Sequence, residues 1–120
     1  ATVLAEMGAK VFTIERHKKL FEKTKDFIFK NQYPNLKFFY GDGFEGLPTY
    51  ASFDKILITA AAPFIPPKLI EQLKPGGMMV IPVGAGDVQQ MKRITKLAIG
   101  GIKEEVFDQF SFVPMLDGKK

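Results

Sequence analysis

The stretch FDKILITAAAP at residues 53–63 decides the fold. Residues 54–59, DKILIT, are of strand length and contain the apolar run Ile56-Leu57-Ile58, which predicts a strand. The strand ends in the small residues Ala60-Ala61-Ala62-Pro63. Pro66-Pro67 then predicts a helix over residues 66–74, because proline suits the first helical turn. A strand, a loop and a helix in this order indicate an α/β fold.

The same alternation extends on both sides of this stretch. Upstream, we predict a strand at 9–15, a helix at 16–30, a turn at 31–35, a strand at 36–40 and a loop at 44–52. Downstream, Pro75-Gly76-Gly77 ends the helix, and strands follow at 78–83, 89–98 and 103–112, the last two joined by a Gly100-Gly101 turn. Alternating strands and helices predict a mostly parallel sheet with covered faces, and the closing hairpin predicts an antiparallel C-terminal edge.

Length and composition bound the class of protein. The chain has 120 residues, of which 46% are hydrophobic and 25% charged, so residues 1–120 are predicted to form a single domain with a core. Residues 1–8 have a helical pattern closed by Gly8 but no helix start, so we expect an N-terminally truncated domain. No apolar run reaches the roughly 18 residues of a membrane span.

Several classes of site are excluded by residue counts. The chain has no cysteine and one histidine, His17, which excludes disulfide scaffolds and argues against a Cys or His metal site. The absence of cysteine fits a cytoplasmic location. The net charge is +4, but the basic residues are nearly all lysines spread along the chain, which favours a solvated surface over nucleic-acid binding. The twelve phenylalanines are expected to lie mostly in the core.

Ligands of such sheets bind outside the carboxyl ends of the strands. Four segments follow predicted strands: Glu15, residues 41–43, residues 59–63 and residues 83–86. We therefore expect them to line one rim.

Two of these segments carry an acid. Glu15 could accept hydrogen bonds from a ribose diol, because a carboxylate offers two acceptor oxygens. It could equally be a surface acid near the start of the next helix. Asp42 lies between Gly41 and Gly43, which allow positive φ and close approach of a ligand, and it could accept from an adenine amino group; an ordinary turn is the alternative.

The other two segments offer backbone and space. The three alanines before Pro63 leave room for a planar group or a peptide backbone, although a tight strand-to-helix crossover would look the same. Residues 83–86 offer exposed backbone after a strand, but they precede no helix and include no phosphate-loop lysine. No serine elbow or cysteine nucleophile is present, which argues against triad hydrolase chemistry.

Together these segments resemble the protein-L-isoaspartate O-methyltransferase family, which uses S-adenosylmethionine and has a Rossmann-like sheet. The matching stretches are VFTIER at 11–16, YPNLKFFYGDGFEGLP at 33–48, FDKILITAAAP at 53–63, LIEQLKPGGMMVIPVG at 69–84 and FVPM at 112–115. They cover nearly the whole chain in the family's order. The combination of GDGxxG, DKILITAAAP and GGMMVIPVG is much more specific than any one of them.

The resemblance implies roles for individual residues. It implies no metal and no catalytic side chain within this chain. The residues implied for the cofactor are Glu15, Arg16, Gly41, Asp42, Gly43, Thr59 and Ala60. Those implied for the substrate peptide are Ala61, Ala62, Pro63, Pro82, Val83 and Gly84.

The activity implied is methyl transfer to the free carboxylate of L-isoaspartyl and D-aspartyl residues in damaged proteins, which starts repair through a succinimide. The chain departs from the family in lacking the glycine-rich cofactor loop and the first strand of the sheet, so we expect residues 1–120 alone not to turn over. A non-catalytic adenosine-binding module is the first alternative. A nicotinamide-dependent oxidoreductase and a nucleic-acid methyltransferase are weaker ones. Oligomeric state is left open.

Overall fold

The structure is a computed structural model that describes residues 7–16, 18–27, 35–84, 86–110 and 115, with side chains described outside 23–27 and 108–110. The chain divides into two compact units. One consists of Ala1–Gly43 with Asp117–Lys120, and the other of Phe44–Leu116. The single domain over residues 1–120 stays a prediction.

The described elements alternate as the sequence predicts. In chain order they are β1 (Val11–Glu15), α1 (Lys18–Phe27), β2 (Leu36–Tyr40), a 3₁₀ helix (Pro48–Tyr50), β3 (Phe53–Leu57), α2 (Pro67–Glu71), β4 (Leu73–Val83), β5 (Gln89–Lys96) and β6 (Ile102–Phe110). The bounds of β2 are as predicted, and those of the other strands differ by one to five residues. Residues 1–6 of the predicted helical tail lie outside the described residues, as do His17, residues 28–34 and residues 111–114. Met7 and Gly8, at the end of that tail, form a turn.

In the first unit, β1 and β2 pair in parallel. The register runs from Val11 opposite Leu36 to Glu15 opposite Tyr40. The rings of Phe12 and Phe39 stack with their centroids 6.2 Å apart. A parallel pair needs a crossover connection, which α1 and the segment after it supply. The two strands therefore end side by side.

The second unit contains a four-stranded sheet in the order β3-β4-β5-β6. Strand β4 pairs in parallel with β3, and the pairs β4–β5 and β5–β6 are antiparallel. The α/β class and the antiparallel C-terminal edge are confirmed. The described strands form two separate sheets rather than one, so β1 and β3 each have a hydrogen-bonded strand on one side only within the described part of the chain.

Strand β4 supplies the centre of the core. Met79 and Ile81 are fully buried, as is Ile94 of β5. Leu69 of α2 and Ala62 complete the packing with Leu73. Contrary to expectation, this core cluster of the described residues contains no phenylalanine, and Phe64 and Phe107 are more than half exposed.

Helix α2 ends earlier than predicted because Leu73 already pairs with Phe53 of β3. The ammonium group of Lys96 donates to the carbonyls of Ile70 at 3.2 Å and Leu73 at 3.1 Å. Ile70 lies in the last turn of α2 and Leu73 begins β4, and a cation beside the end of a helix also suits the helix dipole. Lys96 therefore ties β5 to the end of α2.

The loop before β3 is held by one buried side chain. The amide of Gln72, 6% exposed, donates to the Glu45 carbonyl at 2.9 Å and accepts from the Leu47 N–H at 2.9 Å. Gly46 lies between these two contacts with φ +65°, and a Cβ there would come within 2.3 Å of the Gln72 Oε1 atom. Gly46 is therefore required both by its conformation and by the space that the amide occupies.

We expect Gly46→Ala to destabilise the protein more than Gly76→Ala. Gly76 also has positive φ, but a Cβ there meets nothing within 4 Å. The comparison isolates the overlap with the Gln72 amide, for which we expect about 1–3 kcal/mol. Urea unfolding of both variants measures the difference. Equal loss in the two variants would contradict the steric role of Gly46.

The hairpin of β5 and β6 carries a bidentate ion pair on one face. The guanidinium of Arg93 donates to Glu105 at 2.8 and 3.2 Å and lies over the Phe107 ring, 5.1 Å from its centroid. The hydrogen bond and the charge of Arg93 lower the pKa of Glu105 below its ordinary value of 4.5. The pair thus favours the ionised carboxylate in the folded state.

This lowered pKa predicts acid sensitivity. The stabilisation by Glu105 is fully present above its ordinary pKa and is lost as the pH falls through the lowered one. The difference in melting temperature between wild type and Glu105→Gln should therefore be largest near neutral pH and shrink toward about pH 3. Glu71→Gln is the control on an exposed residue of α2. A difference that does not change with pH would contradict the prediction.

Candidate functional site

In the first unit, the strand ends bring two of the predicted segments together. Glu15 is the last residue of β1, and its carbonyl accepts the Gly41 N–H at 3.0 Å. Glu15, Arg16 and residues 41–43 therefore lie at the carboxyl edge of the parallel pair, where ligands of such sheets bind. The side chains of Glu15, Arg16 and Asp42 are all half-buried.

The conformation of Gly41 differs from the expectation. Its φ lies outside the left-handed region, so a positive φ does not explain the glycine. A Cβ there would meet the Ile14 Cγ2 atom at 3.8 Å, which is ordinary contact. Neither a positive φ nor a steric clash therefore explains the glycine, so the ligand contact and the ordinary turn considered for residues 41–43 both stay predictions.

In the second unit, Pro82 interrupts the ladder between β3 and β4. The Ile58 N–H donates to the Val80 carbonyl at 3.0 Å. The next bond of a regular parallel ladder would run from the backbone nitrogen of residue 82 to the Ile58 carbonyl, but proline has no N–H. For this reason β3 ends at Leu57 and does not reach Thr59 as predicted.

Pairing resumes only after two extra residues. Leu57 lies opposite Val80, and Ala62 is bridged to Val83. Four residues separate Leu57 from Ala62, whereas two separate Val80 from Val83. Residues 58–61 therefore bulge relative to β4, as sheets do next to functional sites.

Some backbone groups assigned to the substrate are used within the fold. The Ala62 N–H donates to the Pro82 carbonyl at 2.8 Å, and the Gly84 N–H donates to the Ala62 carbonyl at 2.8 Å. The Met115 N–H donates to the Ala61 carbonyl at 2.6 Å. These bonds hold the two predicted substrate segments together, but they reduce the backbone polar groups that Ala62, Pro82 and Gly84 can offer.

The small size of the alanines and of Gly84 also has structural reasons. Ala61 and Ala62 are 5% and 0% exposed, so their small side chains serve core packing, and the outer part of the segment is formed by Thr59, Ala60 and Pro63. Gly84 has φ +148°, and a Cβ there would lie 3.1 Å from the Val88 carbonyl. The half-buried Val83 ends β4, and Ala85 of the predicted segment 83–86 lies outside the described residues.

Sequence reasoning missed Gln72 and Met115 as residues that shape these segments. Gln72 stands in an ordinary helical context, and Met115 is bonded through its backbone, so neither gives a local signal. Within the described residues, no group of three or more acidic or histidine side chains could hold a metal ion. Nor is any helix in that part of the chain long and apolar enough to cross a membrane.

We expect Pro82→Ala to restore the missing ladder bond. The new N–H can donate to the Ile58 carbonyl, which would extend β3 and draw in the bulge. The amide of residue 82 should then be protected from hydrogen exchange, as measured by NMR. Pro75→Ala, at an exposed position of β4 that has no residue paired with it, is the control and should add an unprotected amide. Rapid exchange at residue 82 would show that proline does not cause the interruption.

Comparisons with known proteins show the family to which the chain belongs. The family described as Protein-L-isoaspartate(D-aspartate) O-methyltransferase matches residues 1–120. A protein-L-isoaspartate O-methyltransferase of Cytophaga hutchinsonii is 50% identical over 115 residues, which cover 96% of this chain and 52% of the relative. That of Christiangramia forsetii is 45% identical over 117 residues, covering 98% and 54%. The chain thus spans about half the length of the curated relatives that it matches.

A solved structure has the same fold. It comes from Plasmodium falciparum, is assigned as a protein-L-isoaspartate O-methyltransferase, and was determined in complex with S-adenosyl-L-homocysteine. The match has a TM-score of 0.76 at 25% identity and covers 96% of this chain and 56% of that one. Since the family match extends over every residue, the chain belongs to the protein-L-isoaspartate(D-aspartate) O-methyltransferase family.

Proposed function

We propose that this chain carries the cofactor and substrate segments of an enzyme that methylates the free carboxylate of L-isoaspartyl and D-aspartyl residues, with S-adenosylmethionine as methyl donor. The observation that carries the proposal is the family match over residues 1–120. The related Plasmodium falciparum structure holds S-adenosyl-L-homocysteine, the product that methyl transfer would leave.

The hydrogen-bond acceptors of the first unit suit the adenosine part of this cofactor. Ribose hydroxyls and the adenine amino group are donors, and Glu15 and Asp42 offer carboxylate oxygens at the end of a parallel strand pair. Gly41 and Gly43 leave the backbone beside Asp42 open to a flat base. We assign Glu15 with Arg16 to the ribose end and Asp42 to the adenine end. Thr59 and Ala60 are assigned to the end that carries the methyl group.

The second unit would bind the substrate peptide along residues 61–63 and 82–84. The nucleophile is the substrate's own carboxylate, which is ionised at neutral pH because its ordinary pKa is about 4. No general base has to create it. S-adenosylmethionine supplies a methyl group on a sulfonium. The task of the chain is therefore to position the carboxylate and to keep water away.

The methyl ester that forms would close to a succinimide as methanol leaves, and the addition of water would open the succinimide partly to normal aspartate, which makes the activity a repair function. We further propose that the protein works in the cytoplasm on peptides and proteins. Nucleic acid and membranes are not expected partners, since lysines are spread along the chain.

The decisive test is transfer of a labelled methyl group to an isoaspartyl peptide and to the same peptide with normal aspartate. Two proteins are compared: residues 1–120 alone, and residues 1–120 fused to the unmatched remainder of the Cytophaga hutchinsonii relative. We expect the fusion to label only the isoaspartyl peptide and the chain alone to label neither.

A folded fusion that binds S-adenosylhomocysteine but methylates neither peptide, or both equally, would contradict the proposal, with the intact relative as positive control. Full activity of residues 1–120 alone would contradict only the expectation that this chain is insufficient. Failure of the folded chain to bind S-adenosylhomocysteine at millimolar concentration would favour a non-catalytic module instead.

Glu15→Gln should weaken the binding of S-adenosylhomocysteine. The variant keeps the size of the side chain but replaces an ionised acceptor, and hydrogen bonds to charged groups contribute about 1.5–3 kcal/mol. We expect roughly ten- to hundredfold lower affinity by calorimetry. Glu22→Gln, at an exposed position of α1, is the matched control. Equal affinity of both variants would remove Glu15 from the cofactor site.

A further inference from the structure

Two phenylalanine rings pack beside the segment that we assign to the substrate. Phe64 follows Pro63 directly, and its ring lies 5.6 Å from that of Phe44, tilted by 35°. Phe64 is 54% exposed, whereas Phe44 is half-buried. A half-exposed ring supported by a second ring offers a firm apolar surface to a ligand.

The fold holds both rings in place. The loop that carries Phe44 is fixed at its next residue, because the Glu45 carbonyl accepts from the Gln72 amide and the Glu45 carboxylate pairs with Lys68. Phe64 stands between two anchored positions, since Ala62 is bonded to β4 and Pro66 is buried. A surface fixed before binding loses little conformational entropy when a ligand arrives.

We propose that Phe64, supported by Phe44, is a specificity-determining residue that contacts an apolar side chain next to the isoaspartyl residue of the substrate. The inference rests on the proposed function. Its argument is continuity: a peptide bound along residues 61–63 must place a neighbouring residue beyond Pro63, where Phe64 lies. An apolar side chain there removes its own surface and that of the ring from water.

The test uses residues 1–120 and fluorescent peptides whose binding is followed by anisotropy, so that turnover is not needed. Four isoaspartyl peptides form two pairs. One pair carries leucine or serine before the isoaspartyl residue, and the other pair carries them after it. A further peptide has normal aspartate beside leucine. We expect the leucine peptide of one pair to bind roughly three- to tenfold tighter than its serine counterpart. The preference should disappear in Phe64→Ala and persist in Phe64→Tyr.

Phe107→Ala is the matched control, because Phe107 is 56% exposed and lies on β6. It should leave the preference unchanged. The inference would be overturned if the wild type bound leucine and serine peptides equally, or if the preference survived in Phe64→Ala. In either case, discrimination between isoaspartate and aspartate would still support the proposed function. Loss of that discrimination, or no binding of any peptide, would contradict both.

Discussion

The arrangement of the second unit depends on the missing hydrogen-bond donor of Pro82. Because the backbone of residue 82 cannot donate, the parallel ladder between β3 and β4 stops after Leu57 and resumes at Ala62 with two extra residues on one side. A proline inside a paired strand is otherwise unfavourable and is found at edges and bulges. Here it releases residues 58–61 from regular pairing next to the buried centre of the sheet. The segment is nevertheless held at both ends.

Hydrogen bonds of a few single side chains hold the surroundings of this bulge in place. Gln72 ends α2, its carbonyl accepts the Phe53 N–H at 2.7 Å, and its buried amide holds the loop at residues 45–47. Lys96 fastens the end of α2 to β5. A polar side chain is stabilising inside a core only when its donors and acceptors are matched, and both sides of the Gln72 amide are. Loop, helix and sheet are thereby joined at one position.

Elements whose residues share one physical preference could be predicted from the sequence. The apolar run of β2 and the glycine pair between β5 and β6 are examples, and both glycines adopt positive φ as expected. The end of β3 could not be predicted, because it is set by a proline on the neighbouring strand. The burial of Phe64 and Phe107 was overestimated for a similar reason: hydrophobicity does not say whether a covering element reaches the residue.

The site could be predicted in part. Its segments follow strand ends, so the topology rule places Glu15 beside Gly41 and Ala62 beside Val83. The number of backbone groups left for a ligand could not be predicted, since it depends on the register shift and on the bond from Met115. The small size of Ala62 has a packing reason as well as the proposed functional one, and a single sequence does not separate the two.

The central claim assigns the cofactor to the strand ends of the first unit and the substrate peptide to the bulge and the residues after it. NMR chemical-shift mapping on residues 1–120 tests it most directly. S-adenosylhomocysteine should shift the amides of Glu15, Gly41 and Asp42, and an isoaspartyl peptide should shift those of residues 59–64. Shifts confined to the β5–β6 hairpin would contradict the account. So would equal shifts of residues 59–64 when a normal aspartyl peptide is added at the same concentration.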